Sequence, residues 1–305
     1  MIGYIVRRFF WVLPVVFVVS SVTFMLMHAI PGGPFSAEKA LPPAILKNLE
    51  AKYHLDDPLW KQYTDYMWGF FRFDFGPSIT YESRTVNDII ANQWPVTFML
   101  GLASFAIAVG FGIPLGLISA IKQNTVVDYS AMWFSMLGLS IPNMALGPFL
   151  IWIFALKLRW FPVATWGGIS HVILPAVTLG TAYMARFARF TRASMLEVLH
   201  EEYVQTARAK GVPERWVLLK HAFRNALIAV TTIAGPSFAA VVTGSLIVEQ
   251  IFAIPGIGRY YVLSVTNRDY PCIMTITLLF AMAIIVMNLL VDLTYAFIDP
   301  RIRYS

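Results

Sequence analysis

In a chain of 305 residues, apolar side chains fill 58% of the positions and charged ones only 13%, against roughly half and a quarter in soluble domains. That surplus of apolar surface excludes an ordinary soluble fold. The formal charge of +6 lies mostly in Lys and Arg placed beside or between apolar blocks, where it sets topology rather than binding nucleic acid. The single cysteine, Cys272, excludes an internal disulfide and a cysteine-rich metal site. Hydrocarbon offers no hydrogen-bond partner, so each apolar block must satisfy its own backbone, which points to an all-α membrane protein.

The first block covers residues 9–30 and follows Arg7 and Arg8; at about 1.5 Å per residue it is long enough to cross a bilayer. It exceeds a secretory signal core and ends in Ile30-Pro31-Gly32-Gly33-Pro34 rather than at a small-residue cleavage site, so it reads as a retained helix. Residues 31–93 turn polar and mixed in charge, an external loop in which Pro42-Pro43 before Ala44, Ile45, Leu46 and Leu49 predicts a short amphipathic helix. Five further blocks follow at about 98–121, 129–156, 172–190, 227–252 and 273–298, giving six transmembrane helices in one domain spanning 1–305.

Pro114, Pro142, Pro148, Pro175 and Gly235-Pro236 interrupt these blocks and are expected to kink or unwind helices. The block at 129–156 is long enough to contain a bend. Gly112 and Gly116 carry a Gly-xxx-Gly spacing that permits close helix approach. Lys122, the run from Arg186 to Arg224, Arg301 and Arg303 share one side with Arg7 and Arg8, while only Lys157, Arg159, Arg259 and Arg268 fall in the short connections of the other. The positive-inside rule then places both termini and residues 191–226 in the cytoplasm, with the long loop outside.

The connection at 191–226 carries the most information, because joining two neighbouring helices needs far fewer residues. It reads Glu201-Glu202-Tyr203-Val204-Gln205-Thr206-Ala207-Arg208-Ala209-Lys210-Gly211, then Val212-Pro213-Glu214 and a second helical run. Gly211 suits a helix C-cap, Arg208 and Lys210 complement the dipole of the last turn, and Pro213 suits the start of the next helix. Taken alone, Glu201, Glu202, Arg208 and Lys210 would be a solvated helix face. The whole pattern, a helix, a tight turn and a helix, outweighs that reading.

This stretch, with His221-Ala222-Phe223-Arg224-Asn225-Ala226-Leu227, resembles the coupling loop of peptide-transporting ATP-binding-cassette (ABC) permeases. Supporting matches lie at Leu41-Pro42-Pro43 with Ala51-Lys52-Tyr53-His54-Leu55, at Ile254-Pro255-Gly256-Ile257-Gly258 with Asn267-Arg268-Asp269-Tyr270, and at the ending Ile298-Asp299-Pro300-Arg301-Ile302-Arg303-Tyr304. The likeness covers essentially the whole chain and is greatest for the B-type membrane subunit of bacterial oligopeptide permeases, with dipeptide and nickel permeases as relatives. Two places depart from the pattern. The loop's usual Glu-Ala-Ala is replaced by Gln205, Thr206 and Ala207, which leaves Glu202 as the acid in the neighbouring turn, and the later Leu-Pro is replaced by Phe223-Arg224.

The resemblance implies a type I ABC importer permease fold in the bacterial inner membrane. It implies a homologous second permease subunit, two cytoplasmic ATPase subunits that use ATP and magnesium, an external peptide-binding protein and surrounding lipid as partners. It assigns ATPase coupling to Glu202, Tyr203, Thr206, Ala207, Arg208, Ala209, Lys210 and Gly211, and it assigns no cofactor, metal or catalytic residue to this chain. Rigid-body rocking of the subunits would alternate the path between its outward-open and inward-open states. The outer loop and the connection from Ile254 to Pro271 would then meet the binding protein or form the outer gate.

Competing classes fare worse on the same residues. An ion-coupled secondary transporter would place ionisable groups at the bilayer midplane, where these blocks hold almost none. An intramembrane enzyme would need a nucleophile and base, a carboxylate pair or metal ligands, and neither Gly-x-Ser-x-Gly nor His-Glu-x-x-His occurs. The phosphate loop Gly-x-x-x-x-Gly-Lys-Ser/Thr is also absent from the sequence, so an energy source must come from a partner. Asp292, inside the last block, is expected to pair with a neighbouring Arg, and Glu249 and Asp269 are expected to be interfacial anchors.

Overall fold

The computed structural model describes residues 2–35, 43–81 and 83–298. Leu41, Pro42 and the ending from Asp299 to Tyr304, with Arg301 and Arg303, lie outside the described residues, as do the side chains of Arg7, Arg8, Pro43 to Leu46 and Asp292. Among the described residues the regular structure is helical: α1 (Ile2–Ala29), α2 (Pro43–Lys52), α3 (Leu59–Phe71), α4 (Val86–Ile121), α5 (Val126–Ser140) and α6 (Asn143–Leu150). After these come α7 (Ile169–Leu199), α8 (Glu202–Ala209), α9 (Glu214–Trp216), α10 (Arg224–Val242), α11 (Leu246–Ile251), α12 (Ile257–Asn267) and α13 (Tyr270–Ile298). Single π-helical stretches, Ile151–Lys157 and Val217–Phe223, extend α6 and join α9 to α10.

Length and apolarity suffice for a membrane crossing in α1, in α4, in the run Glu214–Ile251 and in α13, and a fifth arises if α5 and α6 count as one span bent by 105°. The bend sits at Pro142, whose extended backbone (φ −57°, ψ 142°) opens α6. The other interrupting prolines, Pro114, Pro148, Pro175 and Pro236, lie inside helices that continue past them.

Two helices run further than their apolar blocks. Helix α4 begins at Val86 rather than near residue 98, because Thr85 and Asp88 close its N-terminus. The Asp88 amide donates to the Thr85 hydroxyl at 3.1 Å and the Thr85 amide donates to the Asp88 carboxylate at 3.0 Å, a reciprocal cap. Helix α7 ends at Leu199 rather than near Phe190. In both, polar residues (Asn87, Asn92 and Gln93; Arg189, Arg192 and Glu197) end the apolar block without ending the helix.

The described chain forms two compact units, one of residues 2–97 and 255–286, the other of residues 98–254 and 287–298. In the first, Val16, Phe70, Phe75, Val86, Ile89 and Ile276 form a buried core. Asp269 organises its edge. Its carboxylate accepts from the Ser78 hydroxyl at 2.5 Å, from the Thr80 amide at 3.2 Å and from the Cys272 amide at 3.3 Å, so it caps α13 and straps the outer loop in one place. It is fully buried, as is Glu249 in the second unit. That corrects the expectation of interfacial anchors, since a carboxylate with three donors around it needs no water.

In the second unit α7 is the central element, packed on α5 and α10. The pair Gly112 and Gly116 serves the close approach that its spacing suggests. A Cβ at Gly112 would lie 2.6 Å from the Met184 carbonyl oxygen, and one at Gly116 would lie 2.7 Å from Cβ of Thr191, so α4 and α7 pack with backbone nearly touching backbone.

Candidate functional site

The residues assigned to coupling fall on α8 and its C-terminal turn. The turn is a Schellman closure. Gly211 holds φ at +76°, its amide donates to the Arg208 carbonyl at 2.9 Å, and the Val212 amide reaches back to the Ala207 carbonyl at 3.2 Å. The apolar contact that accompanies such a turn is present: Val212 packs with buried Val204, Ala207 and Val217 and with Val198 from the end of α7. A small hydrophobic core therefore seats α8 against the chain's own helices and fixes which face looks outward.

That seating divides the eight residues. Ala207 belongs to the inner core. Arg208 is turned back on the loop, its guanidinium forking onto Glu214 at 2.8 and 3.2 Å; the carboxylate raises the Arg208 pKa above its ordinary value, so the pair stays ionised. Glu202, Tyr203, Thr206, Ala209, Lys210 and Gly211 are exposed. The Tyr203 hydroxyl accepts from the Asn225 side chain at 2.7 Å, which fixes the ring against the start of α10. Among the described residues no ion pair engages Glu202 or Lys210. The outward face thus offers one acid, one base and a hydroxyl on a rigid short helix, with no internal partner for either charge.

A second constellation escaped the sequence reading. Asp128, in the first turn of α5, is buried and accepts from Arg192 Nε at 2.8 Å and from a second guanidinium nitrogen at 2.7 Å. The Asn124 amide donates to it at 3.0 Å and the Ser119 hydroxyl completes the shell. One carboxylate thereby ties the end of α4, the turn into α5 and the last third of α7 together. Sequence reasoning gave Arg192 only a topological role. The available signal was Thr125-x-x-Asp128, a helix-start pattern whose acid stands ready for a basic neighbour.

Comparison with known proteins decides the family. Residues 112–304 match the family described as binding-protein-dependent transport system inner membrane component, and residues 1–101 match the N-terminal region of the same systems. The chain belongs to this family.

Among curated relatives, it is 44% identical over 306 residues to the oligopeptide transport system permease protein OppB of Salmonella typhimurium, covering 100% of both chains. It is 46% identical to the dipeptide transport system permease protein DppB of Bacillus subtilis, covering 99% of this chain and 98% of that one. It is also 42% identical to the glutathione transport system permease protein GsiC of Shigella flexneri over the full length of both. Among solved structures, the inward-facing MetNI methionine ABC transporter superposes with a TM-score of 0.59 at 14% identity, covering 69% of this chain and 96% of that chain. An amino acid ABC transporter crystallised with histidines gives a TM-score of 0.56 at 16% identity, covering 69% and 94%. At such identities the likeness concerns the fold, which is that of an all-helical membrane component.

Proposed function

We propose that this chain is a membrane-spanning permease subunit of an ATP-driven ABC importer, forming half of the translocation path for oligopeptides across the bacterial inner membrane. The observation that carries the proposal is the outward face of α8, where Glu202 and Lys210 stand exposed without an ion-pair partner among the described residues and Thr206 stands exposed between them, in a member of this family. That face docks in a groove of a separate ATPase subunit, so closure of an ATPase dimer moves the helices attached to the loop. Residues 191–226 are the cytoplasmic coupling segment and residues 31–93 the external one.

Six crossings follow if α1, α4, the bent α5–α6 pair, α7, α10 and α13 each span the membrane, which puts both termini in the cytoplasm and gives the type I importer arrangement. Helix α7 escapes a hydropathy count because His171, Arg186, Arg189, Arg192 and Glu197 lower its mean hydropathy. The full assembly contains a homologous second permease subunit, two ATPases that bind ATP and magnesium, and an external peptide-binding protein. This chain supplies the path and the lever and does no covalent chemistry.

The test is ATP-dependent uptake of a labelled oligopeptide into vesicles carrying the whole assembly, with Gly211→Pro as the variant. Proline holds φ near −65° and has no amide to donate, so it cannot make the turn that Gly211 makes at +76°. Loss of uptake with the subunits still assembled is the expected result. Full uptake by the variant would remove the turn from coupling. Uptake of only dipeptides or nickel by the wild type would move the substrate class and keep the architecture.

A further inference from the structure

Arg186 lies inside the apolar block at 172–190 and reads in the sequence only as the head of the cytoplasmic basic run. It lies in α7 thirteen residues before Leu199 and six before Arg192, roughly 20 Å and 9 Å along the helix at about 1.5 Å per residue. Arg192 is tied to the turn between α4 and α5, so Arg186 sits about two helical turns deeper in the helix than the residues that close that end of the bundle. An ionisable group at such depth is costly unless it meets a polar partner, and it marks a functional position by default.

The surroundings show what kind of partner. Arg186 opens onto a hollow of about 280 Å³ shared with Asn143, Leu179, Tyr183, Gly244 and Ser245. Two helix interruptions meet there. Asn143 begins α6 just past the 105° bend, and Gly244 (φ +91°) and Ser245 form the gap between α10 and α11. The guanidinium lies 5.3 Å from the Tyr183 ring centre, which steadies its plane and leaves the N–H edge open. Among the described residues no carboxylate pairs with Arg186, and the hollow contains no acidic side chain. Arg186 is exposed over this recess, whose lining is partly apolar and carries the polar Asn143 and Ser245, and a planar, always-charged fork so placed can bind a carboxylate by two parallel hydrogen bonds.

We propose that Arg186 binds the free α-carboxylate of the peptide in transit, with Asn143 and Ser245 lining the same recess. The inference rests on the peptide-importer reading above and adds a specificity-determining residue to the path. It predicts that this subunit, and not only an external binding protein, distinguishes a peptide acid from its C-terminal amide.

The experiment measures initial ATP-dependent uptake of one labelled tripeptide as free acid and as C-terminal amide, in vesicles containing the complete assembly with Arg186, Arg186→Gln or Arg186→Lys. Any preference of the binding protein is common to all three and cancels in the ratio. A charge-assisted contact corresponds to at least about tenfold in that ratio. The expected result is that Arg186→Gln lowers the acid-to-amide ratio by roughly that factor with amide uptake preserved, and that Arg186→Lys, which keeps the charge but not the fork, falls between. An unchanged ratio overturns the proposal, and so does an equal loss of both peptides, which would pair Arg186 with a neighbouring subunit or lipid. Wild-type vesicles that take up neither form overturn the importer reading itself, a result distinct from the other two.

Discussion

Two bidentate arginine–carboxylate pairs lie in the second unit, and their chemistry is nearly identical. Arg192 grips Asp128 at 2.7 and 2.8 Å, and Arg208 grips Glu214 at 2.8 and 3.2 Å. Their surroundings are not. The Asp128 side chain is 1% exposed and has two further donors, whereas the Arg208 and Glu214 side chains are 34% and 55% exposed. The difference teaches that burial, not pairing, decides what such a contact is worth. The first pair cannot lose its arginine without leaving a carboxylate that water reaches poorly. The second can be replaced by water at little cost, so its task is to shape a turn rather than to hold the fold.

The comparison breaks most readily at Arg192. Arg192→Gln leaves the Asp128 carboxylate, 1% exposed, without its counter-charge, and removing one member of a buried pair so as to strand a buried charge costs about 3–5 kcal/mol. The thermal midpoint of the detergent-solubilised assembly should fall well below that of wild type. Glu214→Gln sharpens the same comparison from the other side. An exposed pair contributes about 0.2–1 kcal/mol, so the midpoint should barely move, and what remains of the shift should shrink further as salt is raised. Equal shifts for the two variants would mean that burial does not separate them.

Much of this arrangement is legible in the sequence, and the parts that are not share a cause. The helix–turn–helix at α8, the glycine that ends it and the apolar blocks follow from periodicity and cap chemistry, because each depends on residues a few positions apart. The full lengths of α4 and α7 do not. Hydropathy reports which residues face lipid, and both helices continue where polar side chains face protein or solvent instead.

Arg192 and Arg186 illustrate the same limit. In the sequence both look like members of one basic run, yet Arg192 finds a carboxylate 64 residues away and Arg186 lies over a recess formed by two helix breaks. Asp269 is a third case. Its burial depends on Ser78 and Thr80, some 190 positions earlier, which no local pattern can bring beside it. Within the residues proposed for coupling, the sequence offers eight as a set and cannot divide them. The split between an inward Ala207 and an outward Thr206, adjacent in the chain, comes from the packing of Val204, Ala207 and Val217 under the helix.

That split provides the most direct measurement. Thr206→Cys and Ala207→Cys place a thiol one residue apart on α8, in a chain whose own cysteine, Cys272, is buried. In assembled transporter treated with a short bifunctional thiol reagent, Thr206→Cys should cross-link to an ATPase subunit and Ala207→Cys should not. ATP binding should change the yield at position 206. Cross-linking from both positions alike, or from Ala207→Cys alone, would contradict the claim that α8 turns one face to its own core and the other to the partner that drives it.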